Sequence, residues 1–222
     1  MEKTAIILGA SGLTGGLVLK KLLADDRYSN IKLFSRKSIG ISNSKIIEKI
    51  GNLLELENFK EDFNADEVYC CIGTTAKKTP NKVLYKNIDF GIPVMAAKIA
   101  KENNIKTFIV VSAIGANSKS SVFYNKTKGE MEKAVLEQHI PNTYILQPSI
   151  ISGERSEVRS FEKIGIQLFN LFEPLLVGKL KKYQATKAKH IAESMIYLAN
   201  TKTKQPQIIS SNNIKEIAIN NK

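Results

Sequence analysis

The first sixteen residues, MEKTAIILGASGLTGG (residues 1–16), decide the fold of this chain. An apolar run ends at Gly9, and a helical pattern begins at once after a turn that contains Gly9, Gly12 and Gly15. Glycines at such a turn let backbone N–H groups approach phosphate oxygens, and the dipole of the following helix favours negative charge. The stretch therefore predicts a pyrophosphate site between a buried strand and a helix N-terminus, with these predicted ligands: Gly9, Ser11, Gly12, Leu13, Thr14 and Gly15.

Short apolar runs alternate with amphipathic stretches further along the chain, which is typical of parallel β-α units. We predict strands at 4–8, 31–35, 45–50, 67–72, 107–112 and 143–146, and helices at 13–24, 83–103 and 121–138. The stretch 52–66 has the poorest pattern and predicts a short or irregular crossover. Six parallel strands with helices on both faces form a Rossmann-type, doubly wound α/β sheet, which binds dinucleotides at the carboxyl ends of its strands.

The pattern changes after residue 148. We predict a loop at 149–159, helices at 161–172 and 187–200, and a late strand at 207–210. The helix at 161–172 has an apolar face that suits the core, a lid or an oligomer contact. We expect one domain over 1–222, with a core at 1–148 and a small C-terminal substrate lobe at 149–222.

The bulk composition is that of a protein with a hydrophobic core, and it carries a net charge of +12. Nearly all of the cations are lysines spread along the chain, so we expect a solvated surface and no specific nucleic-acid partner. We predict no membrane span and no secretory signal, and hence a cytoplasmic protein. The two cysteines, Cys70 and Cys71, are adjacent in a predicted strand, which favours core residues over a disulfide or a metal site.

The choice of cofactor depends on the end of the second strand, Ser35-Arg36-Lys37. An acid at this place would bind the ribose hydroxyls of NAD, but the chain has two cations there. A guanidinium suits a 2′-phosphate, so Arg36 predicts NADP (NADPH) as the cofactor. The alternative is a solvent-exposed basic loop in a lysine-rich protein.

Three residues near the fifth strand form the candidate catalytic set. Tyr124 and Lys128 are four residues apart on a predicted helix, so they project from the same face. An ammonium beside a phenol lowers the pKa of the phenol, and Tyr124 could then protonate a substrate carbonyl. Ser112, at the end of the preceding strand, could orient that carbonyl. The alternative is that Tyr124 packs on the surface and Lys128 is solvated.

Together these segments resemble the atypical or extended branch of the short-chain dehydrogenases/reductases, and within it the HIV Tat-interacting-protein-like group of NADPH-binding proteins. The matching segments span nearly the whole chain: Gly9–Gly15, Arg36, Cys71–Thr75, Val111–Ala113, Tyr124–Glu130, Gln147–Ser149 and Gly153–Arg159. The resemblance implies that Tyr124 is the catalytic acid and that Lys128 also holds the ribose hydroxyls of the nicotinamide. We expect Gly73 and Thr74 to line the cofactor, unless they form an ordinary loop.

Two departures from the family pattern bear on activity. Relatives often have Ser-Ser where this chain has Ser112-Ala113, and an arginine where it has Gln147. The main expectation is an NADPH-dependent oxidoreductase that reduces a carbonyl group on a small-molecule substrate. The alternative is a regulator that senses NADP and docks to a protein partner without turnover. Arg155 and Arg159 suit either an acidic substrate or structural ion pairs. The sequence leaves open whether the protein forms a homo-oligomer.

Overall fold

The computed structural model describes residues 2–153, 182–201 and 207–221. Seven strands form one sheet in the order β3-β2-β1-β4-β5-β6-β9, and every neighbouring pair is parallel. These strands are β1 Lys3–Leu8, β2 Tyr28–Ser35, β3 Ile46–Ile50, β4 Glu67–Cys70, β5 Thr107–Val111, β6 Asn142–Gln147 and β9 Gln207–Ser210. The predicted doubly wound Rossmann-type sheet is confirmed, and the predicted strand at 207–210 forms one of its edges.

Helices cover both faces of this sheet. They are α1 Leu13–Leu23, α2 Lys82–Lys86, α3 Ile92–Glu102, α4 Phe123–Leu136, α5 Ala188–Ala199 and α6 Ser211–Asn220. The irregular crossover predicted at 52–66 contains a 3₁₀ helix, Leu53–Phe59. No helix among the described residues is both long enough and apolar enough to span a bilayer.

Strand β1 shows how the layers are built. Its side chains alternate between the two faces of the sheet, as the pleat of a strand requires. Ala5 and Ile7 belong to a hydrophobic cluster with residues of α1, α5 and α6. Ile6 and Leu8 belong to the cluster on the opposite face, with residues of α3 and α4. Burial on both faces explains why the strand is apolar throughout.

The single helix predicted at 83–103 is divided in the structure. Helix α2 leads into a π-helical segment, Asn87–Gly91, and Pro93 then stands in the first turn of α3. The apolar spacing alone cannot reveal the extra residue of a π turn, and such turns are frequent at functional sites. This segment carries Asp89, a buried acid that the sequence analysis does not single out.

Part of the chain after residue 148 completes the Rossmann layers. Strand β9 pairs with β6, and α5 packs against α1. Two short strands, β7 Ile151–Ser152 and β8 Thr186–Lys187, form a separate parallel pair. The small C-terminal lobe expected at 149–222 stays a prediction. The predicted helix at 161–172, Arg155 and Arg159 lie outside the described residues.

Candidate cofactor and active site

The turn after β1 requires glycine at two positions. Gly9 has a φ of +88°, and a Cβ on it would lie 2.8 Å from the carbonyl oxygen of Cys71. A Cβ on Gly15 would lie 2.2 Å from the carbonyl oxygen of Gly9. The N–H group of Gly12 donates to the same oxygen at 3.0 Å. The turn is therefore closed on itself and packed against the end of β4, as a backbone site for an anion needs to be.

The N-terminus of α1 is open to a ligand. Its N-cap is Gly12, which has no side chain to cap the helix, and the first turn contains no acidic residue. The N–H groups at the start of the helix are thus left without intrahelical partners, near the predicted ligands Leu13 and Thr14. Ser11 is exposed at this turn and lines an open cavity of about 800 Å³ that continues along Ser38 and Ile39.

Arg36 follows β2 directly and is exposed. The adjacent loop is fixed by Glu48, whose carboxylate accepts bonds from Ser38 Oγ at 2.6 Å and from the N–H group of Ile39 at 2.8 Å. These hydrogen bonds lower the pKa of Glu48, the nearest acid on β3. The Glu48 carboxylate is thus held by the loop that follows Arg36.

The segment after β4 brings Gly73 and Thr74 to the predicted catalytic helix. The N–H group of Thr74 donates to Asp89 Oδ2 at 2.7 Å. A Cβ on Gly73 would lie 3.6 Å from Asp89 Oδ1 and 4.0 Å from Lys128 Nζ. Strands β1 and β4 are neighbours, and the strand order reverses between them, which is where dinucleotides bind in this architecture.

Lys128 is buried rather than solvated. Its side chain is 5% exposed, that of Asp89 is 1% exposed, and Lys128 Nζ lies 2.8 Å from Asp89 Oδ1. The contact is a buried ion pair. Burial by itself lowers the pKa of Lys128, but Asp89 and Tyr124 outweigh it and leave that pKa above its ordinary value. The ammonium therefore stays charged inside the protein.

Tyr124 lies in the first turn of α4 and is 40% exposed. The expectation that Lys128 lowers the pKa of this phenol below its ordinary value is wrong. Burial raises the pKa of Tyr124, the charge of Lys128 lowers it, and the charge of Asp89 raises it again. Because burial outweighs the charge of the ammonium, the phenol keeps its proton throughout the neutral range.

Ser112 is turned toward α4. It is buried, and its hydroxyl donates to Glu132 Oε1, which also accepts from Gln147 Nε2 at 2.9 Å. A hydroxyl has one proton, so in this arrangement Ser112 has none to donate to a substrate carbonyl. That role for Ser112 is corrected here, and the next residue, Ala113, carries no hydroxyl. Burial raises the pKa of Glu132, although the bonds from Ser112 and Gln147 act in the opposite direction.

The two cysteines lie at the end of β4 and are free thiols. Burial raises the pKa of Cys70 to about 12, and it also raises the pKa of Cys71. Both groups are therefore protonated and poor metal ligands at neutral pH. Among the described residues, no group of three or more His, Cys, Asp or Glu side chains is arranged to hold a metal ion.

Comparison with known proteins shows the family to which the chain belongs. A profile of the NAD(P)H-binding family matches residues 9–155. Protein FMP52, mitochondrial, of Lodderomyces elongisporus is 33% identical over 72% of this chain and 72% of its own length. Protein FMP52-1, mitochondrial, of Scheffersomyces stipitis is 33% identical over 82% and 78%. Protein HTATIP2 of Rattus norvegicus is 28% identical over 76% and 71%.

The solved structures that share the fold include two enzymes in complex with NAD. The Bordetella bronchiseptica enzyme WbmH in complex with NAD⁺ superposes with a TM-score of 0.71 at 13% identity, over 99% of this chain and 80% of its own. UDP-glucuronic acid 4-epimerase from Bacillus cereus, in complex with NAD, gives 0.68 at 14% identity, over 93% and 77%. At these identities the likeness shows the fold alone.

One expectation from the sequence is overturned by these names. Six curated relatives in yeasts are named as mitochondrial proteins, at 27–35% identity. The predicted cytoplasmic location conflicts with them and is wrong. The absence of a recognisable secretory signal argues only against secretion, and it does not distinguish the cytoplasm from other compartments inside the cell.

Proposed function

The chain belongs to the NAD(P)H-binding family within the atypical short-chain dehydrogenases/reductases, and we propose that it is an NADPH-dependent oxidoreductase that reduces a carbonyl group on a small molecule. One observation carries the proposal. A buried, charged Lys128 lies beside Gly73 at the carboxyl edge of the sheet, with Tyr124 one helical turn away and open to solvent.

The residues fit NADPH at three points. The turn at Gly9–Gly15 suits the pyrophosphate, because its backbone packs so closely that a Cβ at Gly9 or Gly15 would overlap other backbone atoms. The start of α1, which has no capping side chain, suits the pyrophosphate as well. Arg36 suits the 2′-phosphate, since it is exposed at the carboxyl end of β2 and the loop that follows it lines the cavity with Ser38 and Ile39. Lys128 suits the ribose hydroxyls next to the nicotinamide, which supplies the hydride when the cofactor is bound.

Tyr124 is the proposed proton donor. A donor must carry its proton at the working pH, and the raised pKa of this phenol meets that condition. Its partial exposure leaves the hydroxyl accessible to a substrate, while Lys128 beneath it supplies a fixed positive charge. That charge stabilises the phenolate that forms as the proton leaves for the carbonyl oxygen.

A second function is favoured by one specific observation. The hydroxyl of Ser112 is taken by Glu132, and Ala113 offers no replacement, so the set lacks a free serine proton. This favours a regulator that binds NADP(H) and docks to a protein partner without turnover. Both functions need the cofactor site, and only the oxidoreductase needs the phenol of Tyr124.

The test combines binding and turnover on one protein preparation. Thermal unfolding with NADPH and with NADH measures binding, because a ligand at 100 times its Kd stabilises a protein by about 2.7 kcal/mol. NADPH consumption with a panel of aldehydes and ketones measures turnover. Stabilisation with turnover supports the oxidoreductase, and stabilisation without turnover over the panel supports the regulator. Absence of stabilisation by either nucleotide contradicts both.

A further inference from the structure

We propose that Asp89 is a positioning residue that fixes the ammonium of Lys128 and sets the balance of charge at Tyr124. This inference rests on the proposed function, since it assigns Asp89 a part in the same site. It concerns a residue outside the resemblance on which the candidate site was first built.

Asp89 is held on both sides. One carboxylate oxygen, Oδ2, accepts from the N–H group of Thr74 at 2.7 Å, and the other, Oδ1, lies 2.8 Å from Lys128 Nζ. The loop after β4, the π-helical segment and α4 are therefore joined through one side chain. Since the carboxylate cannot turn away without losing the bond to Thr74, it keeps Lys128 Nζ at one place next to Gly73.

The π-helical segment is what brings Asp89 to this place. A π turn adds one residue to the helix, which rotates the following side chains relative to those before it. Asp89 lies within that segment and is almost fully buried, and the segment packs against both α2 and α4. A buried carboxylate that water cannot hydrate needs a compensating charge, and Lys128 provides it.

The other titratable groups around Asp89 do not replace it. Burial raises the pKa of Cys70 on β4 and of Tyr85 on α2, and the charge of Asp89 raises both further. Both groups are therefore neutral near pH 7. Glu132 feels Lys128 from further along α4, but its carboxylate is taken by Ser112 and Gln147. Among the described residues, Asp89 is thus the acid in direct contact with Lys128.

The experiment follows the ionisation of Tyr124 in the protein without cofactor or substrate. Tyrosine labelled with ¹³C at the ring carbon that bears the hydroxyl reports each phenol by NMR, and Tyr124→Phe identifies the signal. Asp89→Asn removes the charge of Asp89, which raises the pKa of Tyr124. We expect Tyr124 to ionise at a lower pH than in the parent protein. The matched control is Glu130→Gln, which removes an acid of α4 that pairs with Lys86 on α2, and it should leave Tyr124 unchanged.

The outcomes separate this inference from the proposed function. Ionisation of Tyr124 at the same pH in Asp89→Asn and the parent would overturn the role of Asp89, whether or not the protein reduces carbonyls. A lower ionisation pH supports it even in a protein without turnover. If Asp89→Asn does not fold, the double variant Asp89→Asn/Lys128→Met decides. Restored folding supports the pairing, and continued failure overturns it, because Asp89 would then serve the loop at Thr74 alone.

Discussion

The space for a side chain at Gly15 is occupied by the carbonyl oxygen of Gly9, since a Cβ on Gly15 would lie 2.2 Å from that atom. The same oxygen accepts the N–H group of Gly12. Neither the oxygen nor the helix can move without opening the turn, because Gly9 is itself in contact with the backbone of Cys71. The first turn of α1 and the end of β1 are thus one closely packed unit.

Gly15→Ala should therefore remove cofactor binding. The methyl group forces the turn apart, and such overpacking costs about 1–3 kcal/mol of unfolding free energy. We expect a lower melting temperature and no stabilisation by NADPH in thermal unfolding. Gly16→Ala is the matched control, since its Cβ would lie 3.2 Å from the nearest backbone oxygen and requires only a small shift. Equal NADPH binding by both variants would contradict the importance of the contact.

Arg36→Ala should abolish the preference for NADPH over NADH. A hydrogen bond to a charged group contributes about 1.5–3 kcal/mol, so the Kd for NADPH should rise by about 10- to 100-fold, with that for NADH unchanged. The melting temperature without nucleotide should stay the same, because Arg36 is exposed. Lys37→Ala, a neighbouring exposed cation, controls for charge alone. A preference retained in Arg36→Ala would remove this residue from the cofactor site.

Tyr124→Phe should lower kcat for carbonyl reduction by about 10²- to 10⁴-fold, the usual contribution of a general acid. The Kd for NADPH should change little, since the ring and Lys128 remain. Tyr183→Phe is the matched control, because Tyr183 is also exposed and also precedes a lysine by four residues. Turnover that survives Tyr124→Phe at the parent rate would rule out the phenol as the proton donor.

The pH profile of carbonyl reduction should be flat through neutrality and fall only on the alkaline side. The pKa of Tyr124 is raised above its ordinary value of about 10, and the donor is active in its protonated form. A raised pKa therefore extends activity to higher pH. A steady-state profile of kcat between pH 6 and roughly pH 11 tests this, with enzyme stability checked at each value. An alkaline limb centred near pH 7 would show that the charge of Lys128 lowers the pKa of Tyr124 by more than burial raises it.

Glu132→Gln should stabilise the protein at neutral pH. The pKa of Glu132 is raised in the folded protein by burial, so its contribution to stability is greatest below its unfolded pKa and is lost as pH rises through the folded value. The neutral amide avoids that loss, and we expect a gain in stability near pH 7 that is absent at about pH 4. Urea unfolding at both pH values measures it. Glu137→Gln, at an exposed position on the same helix, should show neither effect.

Much of the fold can be predicted from local sequence patterns. The apolar run before Gly9, the glycine spacing and the alternation of strands and helices predict the sheet, because burial on both faces makes its central strands apolar. The Tyr124–Lys128 pair is also local, since one helical turn separates its members. The division of the helix predicted at 83–103 does not follow from local patterns, because a π turn leaves the apolar spacing nearly unchanged.

The sequence by itself determined the strand-turn-helix unit, the parallel sheet and the helix that carries Tyr124, all of which follow from residue type and spacing along the chain. Only the tertiary structure decided the charges at the site. It paired Lys128 with Asp89 and turned Ser112 to Glu132, joining residues from different elements. The physical reason is that electrostatic energy depends on distance and burial in space, and neither is a property of neighbouring positions in a sequence.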